Sequence, residues 1–88
     1  MLAQRLGCAH YKPTVPPGLY TQQEGACTLP GGHQVVLATF GNTTGQRAWV
    51  QAETTLGGYL IQGPQWAANA PTAADARMTA AKLHGQQA

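Results

Sequence analysis

The side chains able to do chemistry in this sequence are few: Cys8, His10, Cys27, His33 and His84, with the acids Glu24, Glu53 and Asp75. Zinc sites bring their ligands in close pairs, C-x2-4-C or H-x3-5-H, because one turn must present two of them to a tetrahedral ion. Here the close pair is Cys8 and His10, with one residue between, and Cys27 and His33 stand six positions apart across a turn. That spacing selects poorly for a metal. A disulfide between Cys8 and Cys27 is the preferred reading, with a zinc site and free thiols as the alternatives. Such a bridge closes a loop of about 19 residues, worth around 3 kcal/mol in the chain-entropy model.

Catalytic sets are hard to assemble from the remainder. The sequence contains no serine, so a serine nucleophile is excluded. Glu24, Glu53 and Asp75 fall in three separate elements, and no two carboxylates are placed to divide acid and base work. A Cys–His pair, Cys8 with His10 or Cys27 with His33, needs a free thiolate, which a disulfide removes. The glycine runs "PGGH" and "LGGYLIQG" lack the Lys-Ser/Thr of a P-loop and the strand–GxGxxG–helix order of a dinucleotide site. Gly57-Gly58 follows a helical segment, so the positive helix end is not there to meet a phosphate. The expectation is a non-enzyme with no metal and no cofactor.

The elements that must position these residues are read from periodicity. Met1–Leu6 is a short helix candidate with Leu2 and Leu6 at i, i+4 and Gly7 as its cap. "KPTVPPG" is an extended connector, and "LYTQQEGACTL" a first strand. "HQVVLATF" is the strongest strand, with Val36, Ala38 and Phe40 on one face and Val35, Leu37 and Thr39 on the other. Apolar residues on both faces predict a central strand. "NTTGQRAWVQAETTLGG" is a helix: Thr43 and Gln46 form a T-x-x-Q capping box, and Trp49, Ala52 and Leu56 make one apolar stripe. "YLIQGPQWAAN" is a third strand broken by Gly63-Pro64, its second half an edge or a bulge. Thr72 and Asp75 cap a last helix with Ala73, Ala76, Ala80 and Leu83 as its stripe. The order is α-β-β-α-β-α. It predicts an α+β domain over residues 1–85, with a three-stranded antiparallel sheet, helices on one face, and residues 86–88 as a frayed tail.

Eighty-eight residues make one domain, and only 9% of them are charged. The five basic residues, Arg5, Lys12, Arg47, Arg77 and Lys82, are scattered instead of forming the stripe that nucleic acid requires. No segment is long and apolar enough to span a bilayer. "MLAQRLGC" looks like a lipoprotein processing site but lacks the apolar stretch before it, so no signal peptide and no direct membrane insertion are expected. Aromatic residues carry most of what remains. Trp49 lies on a helix stripe and reads as core; Trp66, near a strand end, is either core or an exposed anchor, and with Tyr59, Tyr20 and Tyr11 it is a candidate for a charge-poor protein-contact face.

"LGC…Y", "CTLPGGHQVVLATF", "QRAWVQA", "GGYLIQGPQW" and "AAKLHG" together resemble small secreted and lipoprotein-like domains of actinobacteria, over about residues 2–85. The resemblance implies a disulfide between Cys8 and Cys27, a core containing Phe40, Trp49 and Trp66, and a place outside the cytoplasmic membrane. It carries no assigned activity. The chain departs from the family in lacking the apolar leader and the true lipobox, which makes a phage-encoded relative or an excised domain plausible. The functional expectation is a non-catalytic extracytoplasmic binding module with a protein partner. The alternative is a small structural or accessory component of a larger assembly such as a phage particle.

Overall fold

The computed structural model describes residues 2–16 and 20–88. The end of the expected connector and the start of the expected first strand, at Pro17–Leu19, lie outside those residues, as does Met1. The elements are α1 (Leu2–Leu6), β1 (Ala9–Pro13), β2 (Gln23–Thr28), β3 (Gln34–Thr39), α2 (Thr43–Leu56), β4 (Tyr59–Gly63), β5 (Trp66–Ala70), α3 (Ala73–Leu83) and β6 (Gln86–Gln87). The strands form one antiparallel sheet in the order β1-β2-β3-β5-β4-β6. The architecture is α+β, with six strands in place of the expected three.

Each extra strand has a local cause. Ala9–Pro13, of which Lys12 and Pro13 were expected to open the connector and Ala9–Tyr11 had no expected element, pairs with β2, and the Cys8–Cys27 disulfide ties the start of β1 to β2 with Cα atoms 5.6 Å apart. Gly63-Pro64 ends a strand, but the chain reverses instead of continuing as an edge. Gln65 adopts the left-handed region (φ 62°), and β5 returns between β3 and β4 as an interior strand. The tail is not frayed. His84 takes a left-handed cap conformation (φ 58°), Gly85 N–H bonds the Ala80 carbonyl at 2.9 Å, and the chain turns to run antiparallel to β4.

The helices occupy both faces of the sheet. β3 is central, as its two apolar faces predict. Val35 and Leu37 join the core beneath α1 and α3, with Leu6, Ile61, Trp66 and Leu83. Ala38 and Phe40 join a smaller core beneath α2, with Trp49, Leu60 and Ala67. Phe40 and Trp49 meet edge to face, ring centroids 5.8 Å apart.

Helix α2 departs from its predicted stripe. Trp49 is buried, but Ala52 is exposed and Leu56 is 80% exposed. The sheet-facing positions are Gln46, Trp49, Val50 and Glu53, an i, i+3, i+4, i+7 set containing two polar residues. Those two enter because they find partners. Gln46 Nε2 donates to the carbonyls of Gly63 at 2.9 Å and Trp66 at 3.2 Å, and Glu53 Oε1 accepts from Asn69 Nδ2 at 3.1 Å. The Thr43–Gln46 capping box does not form. Asn42 is the cap, its side-chain oxygen accepting from Gly45 N–H at 2.8 Å, and this frees Gln46 to reach the sheet. The second predicted cap is present: Thr72 Oγ1 accepts from Asp75 N–H at 3.1 Å.

Candidate functional site

The four aromatic residues expected to form a contact face are not brought together. Trp66 is 6% exposed and belongs to the core beneath α3. Its indole fills a slot between two glycines. A Cβ on Gly85 would lie 2.5 Å from Trp66 Cη2, and one on Gly63 would meet the indole nitrogen. The reading of Trp66 as a partner anchor is therefore corrected. Tyr11 is half-buried and covers Gly25 across the β1–β2 pair, where a Cβ would lie 2.5 Å from its hydroxyl oxygen. Tyr20 and Tyr59 are 46% and 47% exposed but stand at opposite ends of α2. The Tyr20 carbonyl packs near Gly45 in its first turn, and Tyr59 follows its last residue after Gly57-Gly58. A helix of 14 residues is about 21 Å long at 1.5 Å per residue.

Between those ends lies a groove. One flank of α2, comprising Thr43, Gln46, Arg47, Val50, Gln51 and Thr54, stands as a wall beside the β4–β6 edge of the sheet. A cleft of about 590 Å³ lies between this wall and Gln62, Gln65 and Gln86. A second cleft of about 330 Å³ continues from Thr54 to Tyr59 and Gln87, and Ala88 borders both. Gln62 and Gln86 are cross-strand partners, so both project to the α2 side. The polar lining is held in place: Gln46 Nε2 lies 3.3 Å from Gln62 Oε1 as well as on the two backbone carbonyls.

Arg47 is the one charged side chain lining either cleft, and it makes no ion pair or hydrogen bond among the described residues. The acids are engaged elsewhere: Glu53 with Asn69, Asp75 with His33 and Thr72, and Glu24 with Thr21. The sequence does not mark Arg47 and the glutamines as one site, because a lone arginine and six scattered amides carry no motif. The available signal was the 3–4 spacing of Gln46, Arg47, Val50, Gln51 and Thr54 along one flank of a helix.

A smaller cleft of about 270 Å³ opens under α1, lined by Leu2, Arg5, Tyr11 and Leu37 among others. Arg5 Nη2 donates to the Leu83 carbonyl at 3.4 Å.

The sequence-predicted chemistry is distributed rather than gathered. Cys8 and Cys27 are joined in the disulfide, which takes up both thiols of the zinc and Cys–His alternatives. His33 Nδ1 lies 2.7 Å from Asp75 Oδ2. The hydrogen bond from His33 and a second from Thr72 hold the Asp75 carboxyl below its usual range. Among the described residues no three His, Cys, Asp or Glu side chains meet around a common point, and no helix is long and apolar enough to cross a membrane. Comparison with protein-family models, with curated proteins and with solved structures finds no match for the chain.

Proposed function

We propose that this chain is a non-catalytic binding module working outside the cytoplasm, and that it meets a protein partner along the α2–β6 side. The groove on that side carries the reading. It is open, poor in charge, and bordered at one end by the exposed ring of Tyr59, at 47%. Interfaces with protein partners draw on this mixture of aromatic, aliphatic and arginine side chains. The disulfide is compatible with an oxidising compartment, where such bonds persist in small domains. The resemblance to secreted actinobacterial domains points the same way. Within the reading Tyr59 and Tyr20 remain candidate contacts, joined by Arg47.

A photo-crosslinking residue placed at Tyr59 tests the surface, with Ala81 on the exposed side of α3 as its control. In the protein's native surroundings, a discrete protein adduct from position 59 and none from position 81 supports the reading. Equal adducts from both, or none from either, sink it.

The second reading, a structural component of a larger assembly such as a phage particle, is favoured by Val15 and Leu56, 84% and 80% exposed, which a packed subunit would cover. Light scattering after size-exclusion chromatography separates the two: a stable monomer supports the module, and obligate assembly supports the component.

A further inference from the structure

The two edges of the sheet are built differently. β1 is blunted: its register slips between Ala9 and Lys12, His10 has φ 56°, and Lys12 and Pro13 stand at its end. Such devices keep a foreign strand from pairing. β6 has none of them. It consists of Gln86 and Gln87, without proline, charge or irregular register. Ala88 N–H bonds the Leu60 carbonyl at 3.0 Å, so antiparallel alternation turns the N–H and C=O of the preceding residue, Gln87, away from β4. One donor and one acceptor of the main chain therefore stand open on the outer side of β6. Beside them runs the groove, lined with carboxamides that both donate and accept, as peptide groups do. Arg47 lines the same cleft and makes no ion pair among the described residues.

We propose that the groove between α2 and β6 binds an extended, acidic polypeptide segment that pairs with the free main-chain groups of Gln87 and sets a carboxylate on Arg47. The inference rests on the reading of this side as a protein-contact surface and names the class of partner. Strand addition supplies affinity through main-chain hydrogen bonds, and side-chain contacts supply selectivity. The charge requirement follows from the lining: a basic or neutral segment would leave the guanidinium unpaired at a closed interface, whereas a carboxylate accepts its N–H groups in a fork. A short edge strand and one cation fit a weak, reversible complex.

The test is selection of random dodecamer peptides on the immobilised, disulfide-intact protein, followed by fluorescence anisotropy with the enriched sequences. Three variants are compared. Arg47→Glu reverses the exposed charge. Gln87→Pro removes the outward N–H together with the Gln87 side chain, at an edge position that tolerates proline. Ala81→Glu adds an acid on the far side of the molecule. Enriched peptides should be rich in Glu and Asp, bind at least about tenfold more weakly to Arg47→Glu and to Gln87→Pro, and be unchanged with Ala81→Glu. Peptides without acidic preference, or acidic peptides indifferent to Arg47→Glu, overturn the charge assignment. Retained binding to Gln87→Pro, or to wild type by peptides methylated at backbone nitrogens, overturns strand addition. Binders that fail these criteria but are lost in Tyr59→Ala leave the protein-contact reading standing. Binders indifferent to Arg47, Gln87 and Tyr59 alike, or no binders, remove both.

Discussion

His33 Nδ1 lies 2.7 Å from Asp75 Oδ2, so the turn between β2 and β3 is fastened to the first turn of α3, 42 residues further along the chain. Asp75 also accepts from the Thr72 hydroxyl at 2.9 Å, while its own N–H bonds that hydroxyl at 3.1 Å. The carboxylate thus completes the helix cap, favours the positive helix end and holds a neighbouring hairpin.

This arrangement fixes the sign of an acid dependence. The bonds from His33 and Thr72 lower the folded-state pKa of Asp75 below its unfolded value, so protonation is disfavoured in the folded protein. The resulting stabilisation is fully present above the unfolded value of about 3.9 and is lost as pH falls through the lower, folded one. Melting temperature measured from pH 2 to 7 should fall in acid for the wild type. In Asp75→Asn that part of the acid slope should be missing, and the two curves should converge at low pH. An unchanged acid slope in Asp75→Asn would remove the assignment.

The disulfide should contribute much of the stability of so small a domain. It closes a sequence separation of 19 residues, for about 3 kcal/mol in the chain-entropy model. In a domain of this size that corresponds to a fall of roughly 12–24 °C in melting temperature for the Cys8→Ala/Cys27→Ala variant. Intact mass with alkylation should show two blocked thiols only after reduction. Labelling of both cysteines without reductant contradicts the bridge.

Legibility of this fold followed how local each determinant was. β3 was readable because its apolar residues on both faces state in one segment that both faces are covered. Thr72 and Asp75 were readable because a helix cap is closed within four residues. The place of β5 was not, because inserting it between β3 and β4 depends on a turn at Pro64-Gln65 that looks like a strand break. The same limit applies to Trp66: its burial needs Gly63 and Gly85, contributed by different elements. The groove was hidden for a related reason. Its wall comes from α2 and its floor from β4 and β6, and Gln46 had been assigned to a cap that Asn42 supplies.

Thr79 offers a stabilising substitution. Its side chain is fully buried and its hydroxyl has no hydrogen-bond partner among the described residues. A buried hydroxyl without a partner costs on the order of 1–3 kcal/mol, and Thr79→Val keeps the shape and the β-branching while deleting it. The variant should melt several degrees above the wild type. Equal or lower stability in denaturant titration would mean that the hydroxyl is satisfied in solution.

The glycine slot around Trp66 separates a core tryptophan from an exposed tyrosine on the neighbouring strand. In Gly85→Ala the new methyl would lie 2.5 Å from Trp66 Cη2 and 2.9 Å from the Gln62 carbonyl oxygen. The backbone contact cannot be relieved by a rotamer change. Overpacking of this kind costs about 1–3 kcal/mol, and Trp66→Ala, which empties the slot, about 3–5 kcal/mol. Tyr59→Ala, at a position 47% exposed, should remain within about 0.5 kcal/mol of the wild type. Urea unfolding of the three variants checks the order, and partner crosslinking checks its functional counterpart. A Tyr59→Ala loss as large as that of Trp66→Ala would make Tyr59 a structural residue and withdraw it from the contact surface.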